Sequence, residues 1–317
     1  MKRLTSQRDG LTGERLRVRY GPREPLIIDG ESLQIPQGKI SALVGANGSG
    51  KSTLLKTLAR QLPQESGNIV LDGLDIATIP TRELARKLGI LFQERHAPGD
   101  LTVEELVSHG RYPHRRFLES LCAEDETAVR NAMEMAGIGE LRHRLVRQLS
   151  GGQKQLAWIA MAVAQAPRYL LLDEPTTFLD MAHQFDVMDV LVRLNRDLGM
   201  SIVLVLHDLN LAARYADRLF ALRAGKIIAS GAPDAVLTEE TLRRVFDVDT
   251  LIVRDEARKT VCCIPLKRTA RAEQGARAGQ PGLNDFTGAD GRARPLKGTA
   301  RQGVDRLQPF PERYQEV

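Results

Sequence analysis

The chain has 317 residues, of which 42% are hydrophobic and 27% charged. That is enough for a sizeable core and excludes a disordered or fibrous chain. No apolar run approaches the roughly 18–20 residues needed to cross a bilayer as a helix. The net charge is +5, but residues 267–317 hold ten Lys/Arg against six Asp/Glu. Residues 1–266 therefore carry only +1, and the body is not the basic surface a nucleic acid requires.

Residues 1–13 read as a polar leader. They lack an apolar h-region, so the expectation is a chain without a secretory signal that stays in the cytosol. Strands are expected at Arg15 to Tyr20, Leu26 to Ile35 and Lys39 to Val44, with Pro36-Gln37-Gly38 as a turn. Gly45 to Gly50 is a loop, Lys51 to Gln61 a helix, and Gly67 to Leu71 a strand closed by Asp72-Gly73. A short helix and a strand occupy 81–90. Helical spacing then dominates 100–166, at Thr102 to His109, Ala123 to Ala136 and Gly152 to Ala164. From 169 to 230 strands and helices alternate, which is the pattern of a parallel sheet covered on both faces. Beyond Leu266 the composition turns to Gly, Ala and Arg, and 267–317 reads as a disordered basic tail. Cys122, Cys262 and Cys263 have no metal or disulfide spacing and read as small apolar residues in a reducing compartment.

Gly45-Ala46-Asn47-Gly48-Ser49-Gly50-Lys51-Ser52 fits G-x-x-x-x-G-K-[ST], and Thr53 follows it. The loop comes after an apolar strand and opens a helix, the context that gives this motif its meaning. Glycines let backbone N–H groups turn inward around phosphates, and the helix N-terminus adds partial positive charge. Lys51 offers an ammonium to the β- and γ-phosphates, and the Ser52 hydroxyl a ligand to Mg²⁺.

In Tyr169-Leu170-Leu171-Leu172-Asp173-Glu174 an apolar strand ends in two carboxylates, at the end of an open sheet where ligands bind. Asp173 is placed to hold Mg²⁺ and Glu174 to act as general base on a water. Ser150-Gly151-Gly152-Gln153 stands at another helix start, either a second phosphate edge or a plain cap.

With the P-loop, Leu149-Ser150-Gly151-Gly152-Gln153 and the Asp173-Glu174 strand in this order and spacing, the chain resembles the ATP-binding subunits of ABC transporters over about residues 14–265. The resemblance implies an α/β fold: a P-loop NTPase with a RecA-like core, an antiparallel β subdomain and an inserted helical subdomain at about 94–166. It implies ATP and Mg²⁺ as cofactors. Tyr20 would stack on adenine. Gln93 would touch Mg²⁺ and the attacking water, and His207 the γ-phosphate. Asp180 would lie in the D-loop. Ser150, Gly151, Gly152 and Gln153 would cap the ATP of a partner copy in a homodimer. The signature departs from the common pattern at Lys154 and Leu156, and Phe178 replaces a small residue; none of these removes a catalytic group.

Gly110 to His114, Ala157 to Gln165, Leu172 to Val187 and Val205 to Gly231 are most similar to the ATPases of iron-siderophore importers, with haem and cobalamin importers as alternatives. That resemblance implies integral-membrane permease subunits, an extracytoplasmic substrate-binding protein, and a peripheral position on the cytoplasmic face of the cell membrane. Arg111, Tyr112, His114 and Arg116 would lie near the permease contact. A soluble, non-transport ATPase of the same superfamily is the rival class; about 100 residues separate Lys51 from Ser150, without the heptads of a long coiled coil.

Overall fold

The computed structural model describes residues 10–93, 100–115, 120–256 and 260–269. The chain opens with β1 (Leu11–Val18), β2 (Ile28–Ile35) and β3 (Ile40–Gly45), then α1 (Lys51–Leu58), β4 (Ser66–Leu71) and β5 (Leu74–Asp75). Next come α2 (Thr81–Lys87), β6 (Leu88–Leu91), α3 (Val103–Ser108), α4 (Ala123–Met135), α5 (Gly151–Ala164), β7 (Tyr169–Asp173) and α6 (Met181–Leu198). It closes with β8 (Ser201–Val205), α7 (Leu209–Tyr215), β9 (Arg218–Arg223), β10 (Lys226–Gly231), α8 (Pro233–Val236), α9 (Glu239–Phe246), β11 (Val248–Asp255) and β12 (Thr260–Arg268).

Three sheets result. The central one has the order β10-β9-β3-β8-β7-β6 and is parallel except for β10. β3 sits inside it, fully buried along all six residues. An antiparallel sheet has the order β2-β1-β4-β5, and β11 and β12 form a separate hairpin.

Side chains alternate across a strand, so a two-faced sheet sorts its apolar residues by parity. The central sheet does this. Ile40, Ala42, Val44, Leu170, Leu172, Ile202 and Leu204 pack with the helices α3, α4, α5 and α6. Leu43, Tyr169, Leu171, Val203 and Val205 pack with α1 and the antiparallel sheet. Each buried aliphatic side chain contributes about 1.5–3 kcal/mol.

Two expected boundaries move. Leu11 to Gly13 belong to β1 rather than to a leader ending at residue 13. Leu11 is fully buried and pairs with both Ile35 and Leu71, so the backbone is committed to the sheet from there on. At the other end Lys267 and Arg268 belong to β12, facing Asp249 and Val248. Thr269 still donates its N–H to Asp247 O. The rest of the expected leader and tail, residues 1–9 and 270–317, lies outside the described residues, as do 94–99 at the start of the expected helical subdomain.

The helical part is held by two local devices. Thr102 and Glu105 form a capping box at α3, and Arg111 forms a buried ion pair with Asp125 of α4 at 2.8 Å. Arg111 also donates to Ala164 O at 2.9 Å. The expectation that Arg111 faces a permease is corrected here: its guanidinium is buried inside the helical layer. Burial pushes the Asp125 carboxyl up, but the Arg111 and Cys122 contacts outweigh it and leave it below its ordinary value. Tyr112 is exposed, His114 hydrogen-bonds Gln165 O, and Arg116 lies outside the described residues.

The C-terminal hairpin rests on α7. Cys263 N–H donates to Asn210 Oδ1 at 2.7 Å, and Asn210 Nδ2 donates back to Cys263 O at 3.4 Å. Cys263 is buried, and burial together with the neighbouring Cys262 pushes its thiol up to about 11.

Candidate active site

β3, β7 and β8 are parallel neighbours, so the loops after them converge at one edge of the sheet. The loop after β3 is the glycine-rich one. Gly50 occupies the N-cap of α1 at φ 99, a left-handed backbone that L side chains rarely adopt. A Cβ there would also stand 2.9 Å from Ile28 Cδ1. No side chain caps α1, so its first N–H groups point out of the helix toward the cleft.

Lys51 is the first residue of α1 and is buried. Its ammonium donates to Gly45 O at 2.9 Å and Ala46 O at 3.1 Å. Burial lowers the Lys51 pKa, opposed by the charges of Glu174 and Asp173. Ser52 Oγ donates to Asp173 Oδ1 at 2.7 Å. Asp173 is raised above the usual carboxylate range by burial, against the Ser52 hydrogen bond and the charge of Lys56.

Glu174 leaves the strand at φ 52, a strained value for a residue with a side chain. Both its oxygens are occupied. Oε1 meets His207 Nε2 at 2.6 Å; Oε2 accepts from Gln93 Nε2 at 2.9 Å and from Thr177 Oγ1 at 2.9 Å. Three loops thus place their side chains on one carboxylate. The resulting cleft, about 380 Å³, is lined by Asn47 to Thr53 together with Gln93, Glu174 and His207. Tyr20 stands at its rim: the ring is half exposed, and its hydroxyl meets Thr53 Oγ1 at 3.3 Å.

The remaining expected residues lie elsewhere. Ser150 caps α5 by accepting from Gln153 N–H at 3.2 Å, and Gln153 Oε1 accepts from Ser150 N–H at 3.1 Å. Gly151 and Gly152 form the first turn of that helix. None of the four lines the cleft. Asp180 caps α6 through His183 N–H at 2.9 Å. Thr177 was not anticipated as a partner of Glu174; only its place three residues on from the carboxylate hinted at it.

A largely parallel sheet, a glycine-rich loop feeding a helix, and a part-buried Ser–Asp pair beside a clamped glutamate define a P-loop nucleoside-triphosphatase. Residues 28–177 match the family model described as ABC transporter. The chain belongs to the ABC transporter family, among its ATP-hydrolysing, ATP-binding proteins.

The ferric enterobactin transport ATP-binding protein FepC of Escherichia coli is 46% identical over 260 residues, covering 82% of this chain and 95% of FepC. The iron(3+)-hydroxamate import ATP-binding protein FhuC of Bacillus subtilis is 44% identical over 255 residues, covering 80% of this chain and 94% of FhuC. The dimeric structure of MJ0796, a bacterial ABC transporter cassette, superposes with a TM-score of 0.61 at 26% identity. That match covers 70% of this chain and 98% of the cassette.

Proposed function

We propose that this chain hydrolyses Mg-ATP at the cleft between Lys51 and Glu174 to drive import of a ferric siderophore. The observation that carries the hydrolytic part is the triple hold on Glu174 by His207, Gln93 and Thr177. A carboxylate held this tightly at the mouth of a phosphate loop is positioned as a general base for an attacking water. The cargo follows the relatives, two of which are named for enterobactin and for iron(3+)-hydroxamate.

The roles divide as follows. Gly45, Asn47, Gly48, Ser49, Gly50 and Thr53 wrap the phosphates through backbone N–H groups, and Lys51 exchanges its two carbonyl partners for phosphate oxygens. Tyr20 stacks on the adenine. Ser52 and Asp173 offer a hydroxyl and a carboxylate 2.7 Å apart. These are hard oxygen donors that fit Mg²⁺, and they would hold it together with Gln93. Gln93 supplies a third oxygen. When bound, Mg²⁺ neutralises charge on the transferring phosphoryl group. Glu174 orients the water, and His207 moves from Glu174 toward the γ-phosphate.

Ser150 to Gln153 serve the nucleotide of a second copy, with Asp180 in the D-loop; the cleft of their own chain is lined without them. No helix among the described residues is long and apolar enough to cross a membrane. By analogy with the relatives named as transport and import ATP-binding proteins, membrane attachment runs through permease subunits at the cytoplasmic face, with an extracytoplasmic binding protein delivering cargo.

The first test is affinity purification from gently solubilised membranes, followed by uptake assays in cells lacking the chain. Co-purification of a polytopic permease, with ferric-siderophore uptake lost and haem and cobalamin uptake intact, is the expected result. Recovery from the soluble fraction alone would overturn the transport reading. Selective loss of haem or cobalamin uptake would overturn only the cargo.

A further inference from the structure

The short loop before α6 and the first turn of α5 touch, and one side chain joins them. His183 lies in the first turn of α6. Its Nδ1–H donates to Asp180 Oδ1 at 2.7 Å, on the same oxygen that caps the helix. Its ring packs against Gly152: a Cβ on Gly152 would stand 2.2 Å from His183 Cδ2. Leu179 backs the neighbouring glycine, 3.6 Å from where a Gly151 Cβ would be. The second glycine of the signature thus leaves the space the imidazole occupies, and a side chain there would displace it.

Among the described residues the apolar tip of this edge is left uncovered. Phe178 is 95% exposed at φ 64, and Met181 is 73% exposed. A bulky residue held in the left-handed region with its ring in solvent is a strained arrangement, and strain of this kind marks functional edges. The apolar pair flanks Asp180, and Ser150 follows across the His183 contact.

We infer that His183 is a positioning residue that locks the Asp180 loop to the signature helix, so that both reach a second copy of this chain as one rigid edge. The inference rests on the dimer reading above. Asp180 and Gly152 belong to different elements. Without the imidazole each would have to be ordered separately when the second copy arrives, and ordering costs are subtracted from association. With it, the ordering is complete before contact. Phe178 and Met181 supply the apolar area of that edge.

The test uses the full chain carrying Glu174→Gln, to hold ATP unhydrolysed. Dimer dissociation in ATP is read by sedimentation, and nucleotide affinity of the dilute monomer with a fluorescent ATP analogue. His183→Ala removes a hydrogen bond to a charged group and should weaken the ATP-driven dimer about tenfold. The monomer should bind nucleotide as before. His183→Asn keeps an N–H near the Nδ1 position and should recover most of the dimer.

Undiminished dimerisation of His183→Ala, an Asn variant no better than Ala, or an equal fall in monomer nucleotide affinity would each overturn the inference. A parent chain that stays monomeric in ATP would overturn the dimer reading itself, a result visible before any His183 variant is made.

Discussion

Two helices in this chain begin on Gly-rich loops, and they begin differently. α1 starts from Gly50 with no side-chain cap, and its Lys51 folds back onto the loop carbonyls. α5 starts from Ser150 with a reciprocal capping box to Gln153. An uncapped start leaves several backbone donors for an anion, whereas a capped start has already used part of that capacity. The first opens on a cleft within one chain, with the Ser52–Asp173 pair and Glu174 beside it, and on the proposed reading it is the phosphate cradle. The second is a capped helix end backed by His183, and on the proposed reading it becomes a site only against a second copy. Similar residue types therefore give an uncapped start beside a cleft in one place and a capped start outside it in the other.

The comparison breaks most visibly at Glu174. Glu174→Gln should lower kcat by about 10²–10⁴, the usual worth of a general base, and leave nucleotide affinity intact. A steady-state ATPase assay beside a binding titration checks this; affinity and kcat falling together would mean that the cradle and the base are not separable. Lys51→Ala should weaken nucleotide binding about a hundredfold, since a charged hydrogen-bonding group is worth up to about 3 kcal/mol. Isothermal titration with ATP is the measurement, and unchanged affinity would remove Lys51 from the cradle.

Gly50→Ala forces a side chain into φ 99 and toward Ile28. It should cost about 1–3 kcal/mol of stability, read from urea unfolding. Ser150→Ala should cost about 1 kcal/mol through the lost cap while monomer nucleotide affinity stays put. A fall in that affinity would place the signature in its own chain's cleft and erase the contrast.

Much of this was legible in the sequence because the signals are local. The P-loop is eight consecutive residues between a strand and a helix. β7 with Asp173 and Glu174 is an unbroken apolar run ending in charge. What sequence reading missed was carried by partners far along the chain. Arg111 read as surface charge because Asp125, fourteen residues on, gives no sign of burying it. His183 drew no reading from the sequence because its contact is a glycine in another helix. β11 and β12 escaped notice because their outer face is also apolar. Leu251, Val253, Ile264 and Leu266 are exposed, so the alternation that announces a half-buried strand is blurred. That Gln93 and His207 belong to the site followed from family resemblance; the converging strand ends supply the physical reason they meet at Glu174.

The clamp between Asn210 and Cys263 makes the C-terminal hairpin a natural handle for spectroscopy. α7 begins two residues after His207 and carries Asn210 in its first turn, so the hairpin is fastened to the segment that holds the histidine. Cys262 and Cys122 are exposed thiols, whereas Cys263 is buried with its thiol pushed up to about 11. At neutral pH a thiol-reactive dye therefore labels the first two and spares the third. With Cys122→Ser, a single fluorophore on Cys262 would ride the hairpin and report the displacement of α7 in real time, without any engineered cysteine near the nucleotide.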